Sequence, residues 1–141
     1  MLNLTYTTYP GLGEWARTVR HYSQAVRVGN IIHISGQGGW DPNKFENITF
    51  DPDISRQIDK AFENVQLALV SAGGKGWKQV YKVTSYHVTS SSVIDEEITQ
   101  AMVRNLKKWM PDHAPIWTEI GVRGLGAEGM EVEIEVEAFD G

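Results

Sequence analysis

Cysteine is absent from all 141 residues. That excludes disulfides, thiolate nucleophiles and sulfur-ligated metals, and it fits a reducing compartment. Long apolar runs are absent too. No stretch approaches the ~20 residues a membrane-spanning helix needs. The opening MLNLTYTTYPGLGEW carries no basic segment followed by an apolar one, so no secretion signal is read there. A cytoplasmic protein without a membrane partner is the expectation. Positive charge is scarce, with 13 Lys and Arg against 18 Asp and Glu, a net charge of −5. A nucleic-acid binder needs a basic face to displace counterions, so the charge argues against that class. The histidines at 21, 33, 87 and 113 have no metal-ligand spacing and no H-E-x-x-H, so no metal site is expected. There is no G-x-S-x-G elbow. Gly124-Leu-Gly126-Ala-Glu-Gly129 spells the dinucleotide pattern. A strand rather than a helix is expected after it, so no helix N-terminus awaits a pyrophosphate.

What is present starts with Tyr22 to Trp40, YSQAVRVGNIIHISGQGGW. Ala25–Val28 and Ile31–Ser35 read as two strands joined by the permissive turn Gly29-Asn30. The second strand runs into Gly36-Gln37-Gly38-Gly39, where backbone can approach a ligand or another chain closely. Locally this is a core hairpin with a glycine-rich exit.

The remaining elements follow from periodicity. Leu2–Thr7 is a possible edge strand, and Gly11–His21 reads as irregular with Trp15 as a local anchor. Asp51 is expected to cap a helix with Pro52 at its first position. Ile54, Ile58, Phe62, Val65 and Leu69 give that helix its apolar stripe, and Gly73-Gly74 ends it in left-handed geometry. Val80–Val88 alternates as a strand. Ser92 and Asp95 resemble a capping box before a second helix marked by Ile94, Ile98, Ala101, Met102, Leu106 and Trp109. Ile116–Val122 and Met130–Phe139 are the last strands. The expected fold is one α+β domain over residues 1–141, a six-stranded mixed sheet with two helices on one face. The other face, left bare, exposes more than a monomer usually does, so a homo-oligomer is expected.

In the last strand Glu131, Glu133, Glu135 and Glu137 share one face and Val132, Ile134, Val136 and Ala138 the other. A solvated strand face is the plain reading. If that face is covered, at least one glutamate must find a partner, bind a ligand or raise its pKa.

Taken in order, several motifs resemble the RidA/YjgF family of reactive-intermediate deaminases. They are Tyr22-Ser-Gln-Ala-Val-Arg-Val-Gly29, Ile34-Ser-Gly-Gln37, Ala61-Phe-Glu-Asn-Val65 through Ala72-Gly73, Val80-Tyr-Lys-Val-Thr84, Ala114-Pro115 and Val132-Glu-Ile-Glu135. The resemblance spans nearly the whole chain. It implies a chorismate-mutase-like fold and a homotrimer with small-molecule pockets at the subunit interfaces. It also implies hydrolysis of enamine or imine intermediates to a keto acid and ammonia, as in 2-iminobutanoate/2-iminopropanoate deaminases, without a cofactor. Carried over, Glu133 is the catalytic residue that positions or activates water. Tyr22, Ser35 and Gly36 line the pocket, and main-chain groups around Thr118 and Glu119 line the same cleft. One departure stands out. The family's deaminases carry a carboxylate-gripping arginine two residues after the Ala-Pro proline, and here that position is Trp117, which has one N–H donor and no charge. Gly126 also replaces the proline usual after Leu125, and Arg123 ends the same strand. A non-standard substrate is therefore expected. The alternatives are a non-catalytic ligand-binding or regulatory trimer and, weaker on charge grounds, an endoribonuclease or translation inhibitor.

Overall fold

The alternation of glutamates with Val132, Ile134, Val136 and Ala138 sets the centre of the molecule. In the computed structural model, which describes residues 3–141, these four apolar side chains are all buried. Their strand, β6 (Val132–Phe139), lies between β3 (Ile31–Ile34) and β4 (Val80–Val88) and is antiparallel to both. β3 pairs with β2 (Ala25–Val28), and β2 pairs with the edge strand β1 (Leu4–Thr7). β5 (Ile116–Val122) lies parallel to β4 at the opposite edge. The mixed sheet therefore runs β1-β2-β3-β6-β4-β5. Leu2, read as part of the first strand, falls outside the described residues.

Two long helices cover one face. α2 (Ile54–Ser71) packs on β6 and β3, and α3 (Glu96–Trp109) packs beside α2. The stripe Ile58, Phe62, Val65 and Leu69 is fully buried, and Phe62 stacks on Trp77 with ring centroids 4.6 Å apart. α2 ends as its sequence requires. Gly73 adopts φ +88°, and the N–H groups of Gly74 and Gly73 return to the carbonyls of Leu69 and Val70, the Schellman arrangement.

Three expectations are corrected. The cap of α2 is Asp53, not Asp51: its backbone is extended and its carboxylate accepts the Arg56 N–H. Pro52 precedes the helix, while Asp51 accepts the Asp53 N–H and pairs with Arg56. At α3, Asp95 takes the cap position without a side-chain cap bond, and Ser91 rather than Ser92 closes the preceding turn on the Val93 N–H. The segment Gly11–His21 is not irregular. It holds a short helix, α1 (Leu12–Trp15), that continues as a π-helical turn over Ala16–Arg20 and stops at His21 in left-handed geometry, φ 63°. Its burial signal is only Leu12, Gly13 and Ala16, too short a pattern to read as a period.

Among the described residues neither long helix lies on the second sheet face, and the short segment 12–20 borders it beside Glu133. Three rows cross that face: Glu133–Tyr86–Ile120, Glu135–Thr84–Thr118 and Glu137–Lys82–Ile116. Ile116, Ile120 and Tyr81 are exposed large apolar side chains on β5 and β4. No helix among the described residues is long and apolar enough to cross a membrane.

Candidate active site

β3 leaves regular pairing at its end. His33 pairs with Glu137, yet Gln37, four residues on, pairs with Ile134, three residues back. One extra residue is thus accommodated around Ser35-Gly36, a bulge that re-aims the chain. Gln37 secures it through two main-chain bonds with Ile134 and a side chain that is fully buried. The Gln37 amide donates to Gln24 Oε1 at 2.7 Å and accepts from Tyr9 Oη at 2.7 Å, while Trp40 Nε1 donates to Tyr9 Oη at 3.1 Å. Burial raises the Tyr9 pKa far above a free phenol, so Tyr9 stays a neutral donor. Ser35 is fixed through its hydroxyl, which donates to the Ser23 carbonyl at 2.6 Å. From α2, the buried Asn64 amide donates to the carbonyls of Gly38 and Trp40, and Gln57 Nε2 donates to the Gly129 carbonyl. These buried polar groups build one rigid wall.

Against that wall lies Glu133. A Cβ at position 36 would collide with its Oε1, Cδ and Cγ, so glycine there permits the carboxyl group to close on the main chain. Tyr22, Ser35, Gly36 and Glu133 line one cleft of about 300 Å³. Leu12, Trp15, Trp40 and Met130 add apolar walls, and Arg20 adds a cation. Gly126 lines it from the β5–β6 connection, a strand-to-strand loop as expected. Burial, then the charge of Glu135, raises the Glu133 pKa. Each cause disfavours the charged form. Its neighbours are partnered: Glu135 accepts from Tyr86 Oη at 2.7 Å, and Glu137 meets His33 at 3.0 Å. Among the described residues Glu133 has no such partner, which leaves its carboxyl free for a reacting molecule.

The chain does not bring the three β5 residues to this cleft. Trp117 sits beside the buried Val83, and Glu119 beside the buried Ser85, so both are half-buried on the helix-covered face. Trp117 Nε1 donates to Ser85 Oγ at 2.9 Å, and Glu119 accepts from Thr99 of α3 at 2.9 Å. Thr118 lies on the open face, two strands from β6. Arg123 lines a separate crevice of about 590 Å³ with Glu119 and Ser91. His87 is fully buried near this layer, its Nε2 2.8 Å from Ser85 Oγ, and burial lowers its pKa to about 4. The carboxylate of Glu119 approaches that same nitrogen at 3.8 Å rather than the other one, so the group lacks the order of a Ser-His-carboxylate triad. No cluster of His, Asp or Glu suited to a metal occurs among the described residues.

A hairpin ending in a bulge, a half-buried glutamate from the central strand and a bare sheet face define a RidA/YjgF-type domain. The Endoribonuclease L-PSP family model matches residues 14–139, and the chain belongs to this family, known also as RidA/YjgF. The RutC family protein YjgH of Escherichia coli is 33% identical over 117 residues, 83% of this chain and 81% of that protein. A solved structure of protein YjgH superposes with a TM-score of 0.75 at 27% identity, covering 96% of this chain and 95% of that one. The 2-iminobutanoate/2-iminopropanoate deaminase of Dermatophagoides farinae is 38% identical over 65 residues, 46% of this chain and 48% of that protein.

Arg20, Trp15, Gln37 and Tyr9 carry the site beyond the residues expected from sequence. Gln37 belonged to a motif and to the expected pocket wall, without its bonding role. Arg20 had no signal, because the π turn that aims it has no periodic pattern.

Proposed function

We propose that this chain hydrolyses an imine or its enamine tautomer in the Glu133 cleft. One observation carries the reading: a half-buried carboxyl with raised pKa, unpartnered, in a small cleft with Tyr22, Ser35 and Gly36. Such a group exchanges protons closer to neutral pH than an ordinary glutamate. Water adds to the C=N carbon while Glu133 takes its proton and passes it to nitrogen. The carbinolamine then loses ammonia as the C–N bond breaks, leaving a carbonyl. The atoms balance as imine plus water giving ketone plus ammonia, with no redox change and no cofactor.

The same reading includes a homotrimer. Exposed Ile116 and Ile120, with Thr118 between them, give the bare face a surface that a second copy covers. A neighbour's β5 is then the route by which Thr118 reaches a cleft it does not reach within its own chain.

The test generates 2-aminoacrylate with a serine dehydratase and follows imine loss. Acceleration by the wild type that disappears in Glu133→Gln supports the proposal. Activity untouched by that substitution removes Glu133 from the mechanism. Trp117, half-buried where the family's deaminases carry arginine, favours one competing reading, a non-catalytic ligand-binding trimer. That reading predicts ligand binding with no acceleration for any imine.

A further inference from the structure

We propose that Arg20 receives the anionic group of the ligand in the Glu133 cleft, and that this ligand pairs a carboxylate with an apolar body. The inference rests on the imine-hydrolase reading only for the reaction; the binding claim stands on geometry.

Arg20 closes the π turn, and His21 follows it with φ 63°. A non-glycine residue at positive φ is uncommon, and π turns widen a helix by one residue, frequently at functional sites. Here the pair sends Arg20 and Tyr22 into the same cleft. The guanidinium stands over the Trp15 ring, 5.4 Å from its centroid. That contact anchors the guanidinium through the ring and leaves N–H donors available. The nearby carboxylate does not occupy them. Glu14 pairs with Arg17 at 2.6 Å instead. Among the described residues Arg20 has no carboxylate within ion-pair reach, Glu133 included.

The cleft therefore offers one fork of donors without an acceptor, and its own carboxyl, Glu133, lies outside ion-pair reach of it. A bidentate carboxylate is the matching ligand group. The same cleft has apolar walls from Leu12, Trp40 and Met130. Its volume of about 300 Å³ is roughly ten waters' share of the liquid, more than the smallest imino acids fill. An aromatic or branched side chain takes up the difference. β5 supplies no cation to this cleft from the same chain, so Arg20 fills that role from another element.

Titration calorimetry with phenylpyruvate, against phenylacetone as its neutral counterpart, tests the claim. The wild type is expected to prefer the carboxylate at least tenfold. Arg20→Gln should abolish the preference, and Arg20→Lys should restore part of it. Equal binding of the two probes by wild type, no binding of phenylpyruvate, or an intact preference in Arg20→Gln overturns the proposal. Both probes are non-imines, so the result does not depend on catalysis. Failure of the deaminase assay with an Arg20-dependent preference intact would sink the reaction and spare the site.

Discussion

The Glu133 carboxyl group lies against the bare Cα of Gly36, in the space a side chain at position 36 would need. The central strand and the hairpin exit are thereby matched to each other atom by atom. Gly36→Ala forces Glu133 to turn away or the bulge to shift, an overpacking cost of about 1–3 kcal/mol. The expected outcome is a folded protein with a lowered Tm and most of its imine hydrolysis lost. Wild-type turnover in Gly36→Ala would show that the contact does not position the carboxyl.

Glu135 supplies the second cause of the raised Glu133 pKa, a neighbouring negative charge. Removing that charge makes ionisation easier, so Glu133 should titrate at lower pH in Glu135→Gln. If Glu133 acts as a base, the acid limb of the kcat/KM profile moves to lower pH as well. A shift upward, or none, contradicts the coupling.

His87 gives a stability signature. Its folded pKa is about 4, against about 6.5 when unfolded. The unfolded chain therefore binds the proton first. Stability is complete above about pH 6.5 and is lost as pH falls toward 4, by up to about 3 kcal/mol. Urea unfolding between pH 7 and 5, above the usual carboxylate range, should show this slope in the wild type and a flatter one in His87→Gln.

Trp117→Arg is a stability variant before it is a specificity variant. The indole packs against the core and donates to the buried Ser85 hydroxyl. A guanidinium there loses the indole's packing and its bond to Ser85, at about 2–4 kcal/mol. Thermal unfolding is expected to show a clear drop, whereas an unchanged Tm would mean the strand can turn this position outward.

The assembled protein should sediment at about three times the mass of one chain. Ile120→Glu places a charge on the bare face beside Tyr86, and burying it unpaired is expensive. Smaller species should appear at micromolar concentration. A wild type that sediments as a monomer contradicts the trimer.

Much of the fold was legible because it rests on short-range periods. β4 and β5 begin and end where the sequence places them, and α2 buries the expected stripe. Glu133 was legible because its strand alternates without a break. The direction of Trp117 was not. β5 reads IWTEIGV, with apolar residues on both faces, so only its register with Val83 assigns the side of the sheet. That register joins residues far apart in sequence and leaves no local mark. Asp53 in place of Asp51 was decided by which carboxylate reaches the third helical N–H. Arg20 was hidden by a turn that departs from the 3.6-residue repeat.

The place of β6 between β3 and β4 also orders how the molecule is made. It follows both neighbours in the chain, so a nascent protein stalled before Val132 carries two unpaired strand edges where the finished one has a seam. Open edges of this kind recruit other chains. The strand that carries Glu133 is therefore also the one that ends the period of greatest aggregation risk, and the cleft is incomplete until that risk has passed.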